Sequence, residues 1–81
     1  MGYFVYILFS ESLQKYYVGS TGDVVKRLAE HNKGKSNFTS KGVPWQLITT
    51  FNLVSRSEAV NLELKIKNRG IKRYLHDISF M

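Results

Sequence analysis

Eighty-one residues leave room for one small domain, expected to span residues 1–81. A chain this short buries only about 60% of the surface that its unfolded form exposes, so its five Phe, five Tyr and Trp45 must carry much of the core. Cysteine is absent, which excludes disulfides and thiolate zinc sites, and twelve Lys+Arg against six Asp+Glu leave a net charge of +6 that favours a polyanionic partner, most simply nucleic acid.

The first segment, "MGYFVYILFS", has no basic n-region, no small-residue cleavage site and no apolar run long enough to span a bilayer. The expectation is an intracellular, cytoplasmic protein without a membrane partner. Within it, "YFVYILF" (residues 3–9) is β-branched and aromatic and reads as a nearly buried strand. "YYVGS" (residues 16–20) reads as a second strand. A connection of roughly six residues suits an antiparallel hairpin, which would bring Tyr6 near Tyr17.

"GDVVKRLAEHN" follows as a helix, with Asp23 in its first turn and Gly34 as its stop. Val24, Val25, Leu28 and Ala29 form its apolar arc, and Arg27 and His31, spaced i, i+4, fall on the edge of that arc. The polar loop "KGKSNFTSKGVPW" ends in Pro44 before a third strand, "QLITTFN". Ser55 and Glu58 make a capping box for a second helix that ends at Gly70 and turns Ala59, Val60, Leu62 and Ile66 inward. Ile71, Tyr74, Leu75 and Ile78 give a short closing helix. The order is ββαβαα: an α+β fold with a small three-stranded antiparallel sheet flanked by helices.

Glu63 stands out because it sits in the middle of the second helix's apolar arc. A carboxylate there needs compensation. An ion pair with Arg27 or Arg69 would supply it, as would an edge position from which Glu63 reaches water, or a divalent metal, since Mg²⁺ is often held by one carboxylate together with waters and substrate phosphate. Phosphodiester hydrolysis needs an activated water, a positive charge on the developing phosphorane and help for the leaving oxygen. Arg27 can clamp phosphate, and His31 can orient water or donate to phosphate. A tyrosine becomes a base only if its pKa falls well below about 10, as a nearby metal-bound water and Arg27 would arrange.

Taken together, "FVY" at residues 4–6, "YVG" at residues 17–19, "KRLAEHNKGK" and "SRSEAVNLELKIK" resemble the GIY-YIG nuclease superfamily, and most of all its minimal stand-alone bacterial members. Phe4-Val5 replace the Gly-Ile of the first element, a change at structural positions. The resemblance implies that Tyr6 or Tyr17 acts as general base, that Arg27 stabilises transition-state charge and that His31 lies near the scissile phosphate. It further implies that Glu63 binds a single Mg²⁺ or Mn²⁺ and that Gly19 lets backbone pack beside the site. Lys33, Lys35 and Lys41 around the polar loop, with Lys67 and Arg69 near the C-terminus, are the expected nucleic-acid contacts.

The expected activity is divalent-metal-dependent endonuclease cleavage of DNA, with branched, nicked or single-stranded DNA as candidate substrates. No segment reads as a base-reading motif, so recognition of DNA shape rather than sequence is expected. The alternative is a nucleic-acid-binding module with a weakly active or inactive site.

Overall fold

The structure is a computed structural model that describes residues 2–34 and 39–78. Its elements run β1 (Tyr3–Ser10), β2 (Lys15–Thr21), α1 (Val24–Asn32), a 3₁₀ turn (Ser40–Gly42), β3 (Trp45–Leu53), α2 (Arg56–Arg69) and α3 (Ile71–Asp77). This is the α+β order expected from the sequence. The sheet order is β2-β1-β3, and β1 pairs antiparallel with both neighbours.

The strand that reads as most apolar is thus the central one, where both edges and both faces are covered. The hairpin connection is shorter than expected, residues 11–14, because both strands extend further toward the turn. Ser10 closes it: its buried hydroxyl accepts the Leu13 N–H at 3.2 Å.

Alternation along β1 sends its side chains to two separate cores. Val5 and Ile7 join Val18, Ala59, Ile66 and Leu75 in a core between the sheet and helices α2 and α3. Tyr6 and Leu8 face the other way and pack with Trp45, Tyr17, Val24 and Leu28 under α1. The sheet is a middle layer between two helical layers, so one residue's step along β1 decides which side of the molecule a side chain serves.

The helix caps follow the sequence closely. Asp23 is the N-cap of α1 and accepts the Lys26 N–H at 3.0 Å, one position earlier than the first-turn role expected. Ser55 caps α2 by accepting from Glu58 N–H at 3.2 Å. Gly34 and Gly70 follow their helices with φ of 75° and 94°, backbone that a residue without Cβ adopts at little cost.

The expected apolar arcs need correction at three positions. Val25 is 80% exposed, Ala29 is exposed, and so is Val60. Helix α1 touches the sheet along a narrow strip centred on Val24, Leu28 and His31, too narrow to cover a full apolar face. Among the described residues, no helix is long and apolar enough to cross a membrane.

Candidate active site

The site begins at the register of the hairpin. Tyr6 pairs with Gly19 and Leu8 with Tyr17, which puts Tyr6 and Tyr17 on one face as diagonal neighbours, with ring centroids 6.3 Å apart. Gly19 is required there. A Cβ at that position would lie 2.5 Å from the Tyr6 hydroxyl oxygen and 2.7 Å from Cζ. The missing side chain is the space through which the Tyr6 ring reaches across β2.

Behind Tyr6 lies His31. The Tyr6 hydroxyl is 2.9 Å from His31 Nε2, and the other ring nitrogen, Nδ1, is 2.7 Å from the Thr39 hydroxyl. All three side chains are buried. The sequence placed His31 on the rim of α1; the structure puts it inside, where Thr39, in the loop before β3, lies against its ring. Trp45 fastens that loop, its indole N–H donating to the Thr39 carbonyl at 2.8 Å. Asn32 in turn holds the Trp45 backbone, accepting its N–H at 2.6 Å and donating to its carbonyl at 3.2 Å. Tyr17 completes the enclosure, with its ring edge-on to both His31 and Trp45.

Arg27 stands one turn before His31 at the open side. Its guanidinium pairs with Glu30 at 3.1 Å and acts on the Tyr6 oxygen as donor and as positive charge. Half-exposed and held from both sides, it presents a permanent positive charge next to the phenol.

The electrostatics of the phenol run opposite to the expectation of an acidified tyrosine. Burial pushes the Tyr6 pKa up to about 12; Arg27 pulls it down, while Tyr17 and the negative charge of Glu63 push it further up. Desolvation wins, so Tyr6 rests as a neutral phenol. Burial, followed by the nearby Arg27 charge, lowers the His31 pKa, with Glu30 opposing, so His31 is a neutral imidazole at neutral pH.

Glu63 approaches from α2, on the far layer of the sheet, yet its charge is felt at the Tyr6 hydroxyl. Its side chain is 18% exposed and pairs with Lys67 at 2.8 Å. Neither Arg27 nor Arg69 is that partner: Arg27 pairs with Glu30, and Arg69 makes a two-pronged bond to Asp77 at 2.6 and 3.0 Å. The i, i+4 geometry of α2 satisfies Glu63 locally.

Lys67 also lines a cleft of about 350 Å³ with Tyr16, Tyr17, Val18 and Ile71. A second cleft of about 550 Å³, sharing Lys67 and Ile71, continues round the break between α2 and α3 past Arg69, Lys72, Arg73 and His76. Lys33 and Lys41 are exposed elsewhere, at the end of α1 and in the 3₁₀ turn. Lys35 lies outside the described residues.

Among the described residues no group of three or more His, Asp or Glu side chains comes together as a metal cage. The donor set fits a different kind of site: one partly exposed carboxylate beside an open cleft, the arrangement that leaves most of a Mg²⁺ shell to water and phosphate. Sequence reasoning missed Thr39, Asn32 and Trp45 as parts of the site. The signal for Trp45 was present, as the sole tryptophan, but its partners are set by the loop fold.

The family model of the GIY-YIG catalytic domain matches residues 2–74. The structure-specific endonuclease subunit slx1 of the fission yeast Schizosaccharomyces pombe is 33% identical over 85 residues, a match that covers 96% of this chain and 31% of that protein. A UPF0213 protein of Lactococcus lactis subsp. cremoris is 32% identical over 72 residues, covering 88% of this chain and 72% of its own length. The solution structure of the UPF0213 protein BH0048 from Bacillus halodurans superposes with a TM-score of 0.60 at 30% identity, over 99% of this chain and 85% of that one.

Proposed function

This chain belongs to the GIY-YIG catalytic-domain family, and from that premise we propose that it is an endonuclease that hydrolyses DNA phosphodiester bonds with a divalent cation held by Glu63. The observation that carries the reading is the buried Tyr6–His31 bond with Arg27 beside it: a phenol coupled to a neutral base and flanked by a fixed positive charge. The proton path follows. Tyr6 takes a proton from the attacking water as its own passes to His31 Nε2, which ends as imidazolium. A concerted transfer of this kind suits a phenol with a raised pKa, because a free phenolate is never formed.

Arg27 meets the charge that builds on the phosphoryl oxygens. Tyr17 walls the cleft beside the scissile phosphate. Glu63 would hold the divalent cation, which would supply Lewis-acid stabilisation of the phosphate and the leaving oxygen. The Lys67 ammonium beside Glu63 would then be available to a phosphate of the DNA backbone. The continuous basic cleft from Lys67 to Arg73 is the proposed path of the nucleic acid, with Lys33 and Lys41 as further phosphate contacts. Because no described residue of the cleft belongs to a base-reading motif, and because the slx1 relatives are named as subunits of a structure-specific endonuclease, branched DNA is the proposed substrate.

The test is cleavage of a panel of branched, nicked and single-stranded DNAs with and without Mg²⁺, alongside Glu63→Ala. Metal-dependent cutting of a branched DNA that Glu63→Ala abolishes supports the reading; cutting unaffected by chelator or by that substitution sinks the metal-dependent mechanism. The Lys67–Glu63 ion pair favours one second reading, a DNA-binding module whose carboxylate stays neutralised. That reading gains if wild type binds DNA with a steep salt dependence and cuts none of the panel.

A further inference from the structure

We propose that Thr39 is a positioning residue that fixes His31 as its Nδ1–H tautomer, leaving Nε2 as the acceptor that faces Tyr6. Its consequence in catalysis rests on the nuclease reading, but its geometry stands by itself. Arg27 can only donate. The guanidinium charge near the Tyr6 oxygen disfavours a hydroxyl proton pointed at it, and His31 Nε2, 2.9 Å away, is the acceptor within reach.

A neutral imidazole whose Nε2 accepts must carry its proton on Nδ1. In that tautomer Nδ1 is a buried donor, and the Thr39 hydroxyl at 2.7 Å is the group in place to accept from it. The chain of donors then runs in one direction: Arg27 to Tyr6, Tyr6 to His31, His31 to Thr39. Reversing the tautomer would make Nε2–H a donor to Tyr6 and remove the place where the phenol's proton must go.

Thr39 is suited to this task because its backbone is held. The Trp45 indole bonds its carbonyl, and Asn32, the residue after His31, brackets the Trp45 backbone. The acceptor and the imidazole it orients are therefore tied to one frame. A loss of the hydroxyl leaves an unpaired buried N–H, which costs more than the bond itself contributes. Moving the proton to Nε2 exchanges that unpaired donor for an unpaired acceptor, so without the hydroxyl nothing on the Nδ1 side favours Nδ1–H and the Nε2–H tautomer gains population.

The experiment reads the tautomer directly. Long-range ¹H–¹⁵N correlation of uniformly labelled protein at neutral pH distinguishes Nδ1–H from Nε2–H, and His76→Gln at the exposed second histidine leaves His31 as the only signal. Wild type is expected as Nδ1–H, Thr39→Val with a clearly larger Nε2–H fraction, and Thr39→Ser as Nδ1–H again. Cleavage should fall roughly 10–100-fold in Thr39→Val and recover in Thr39→Ser.

A wild-type His31 protonated on Nε2 overturns the proposal outright, and this measurement needs no variant to fold. An unchanged tautomer in folded Thr39→Val overturns it equally. If wild type cuts no DNA, the nuclease reading fails while the tautomer spectra still decide the role of Thr39.

Discussion

The Tyr6 hydroxyl and His31 Nε2 meet at 2.9 Å inside the protein, although 25 residues separate them along the chain. Two independent features of the fold create that meeting. The hairpin register sets Tyr6 opposite Gly19, which opens room for the ring, and the narrow seating of α1 turns His31 inward. If the pair moves the water's proton, Tyr6→Phe and His31→Ala should each lower the cleavage rate by about 10²–10⁴-fold, and the double variant should be little worse than either. Single-turnover rates on a cleaved branched DNA check this; additive losses would show two separate roles.

Stability should depend on pH at both ends through the same pair. The folded-state pKa of His31 is depressed, so the unfolded chain binds more protons as pH falls below about 6.5. The contribution of His31 is complete above that value and is lost as pH falls through the folded pKa. Tyr6 behaves in the opposite sense. Its pKa, raised to about 12, means that the unfolded phenol loses its proton first as pH climbs past about 10. Stability is complete below about 10 and is lost as pH rises toward about 12, by on the order of 2 kcal/mol. Urea midpoints across the pH range should show both slopes, the acid one reduced in His31→Gln and the alkaline one in Tyr6→Phe.

Gly19→Ala should displace the Tyr6 ring. The added methyl would sit 2.5 Å from a hydroxyl that is itself held by His31, so the collision cannot be relieved by swinging a free side-chain end. A loss of about 1–3 kcal/mol is expected, read as a lower denaturation midpoint. Because Cζ also lies 2.7 Å from that Cβ, Tyr6→Phe should relieve only part of the loss, and full relief should require Tyr6→Leu or a smaller residue.

A divalent cation and Lys67 should compete for Glu63. Removing the ammonium in Lys67→Met takes away the partner 2.8 Å from the carboxylate, so Mn²⁺ should bind more tightly than in wild type. Glu63→Gln should abolish binding. Mn²⁺ titrations followed by electron paramagnetic resonance report this without any DNA present. Equal affinities in wild type and Glu63→Gln would place the metal elsewhere.

Lys72 and Arg73 line the basic cleft at the turn between α2 and α3, away from the phenol and imidazole. Replacing both by Gln should weaken DNA binding and reduce the slope of log affinity against log salt by about one for each phosphate no longer neutralised. Rates at saturating DNA should change little. Fluorescence anisotropy over a salt series in chelator measures the slope; an unchanged slope would exclude this cleft from the DNA path.

Much of the fold was legible because its signals are local. Capping by Asp23 and Ser55, the stops at Gly34 and Gly70 and the alternation in β1 each depend on neighbours within a few residues, and the structure keeps all of them. Val25, Ala29 and Val60 misled because a small domain offers less surface to cover than the apolar positions available. Periodicity finds a face but cannot say how wide a strip of it will be buried.

The site divides along the same line. From residue types and their order, the sequence by itself determined the α+β architecture and the proximity of Tyr6 to Tyr17, and it marked Arg27, His31 and Glu63 for attention. Only the tertiary structure decided that His31 is buried, that Thr39 and Trp45 close over it, that Lys67 answers Glu63 and that Tyr6 is held neutral. The physical reason is that desolvation and hydrogen-bond direction depend on everything surrounding a group. At His31 those surroundings come from Tyr6 on β1, Tyr17 on β2 and Thr39 before β3, residues whose meeting no local pattern encodes.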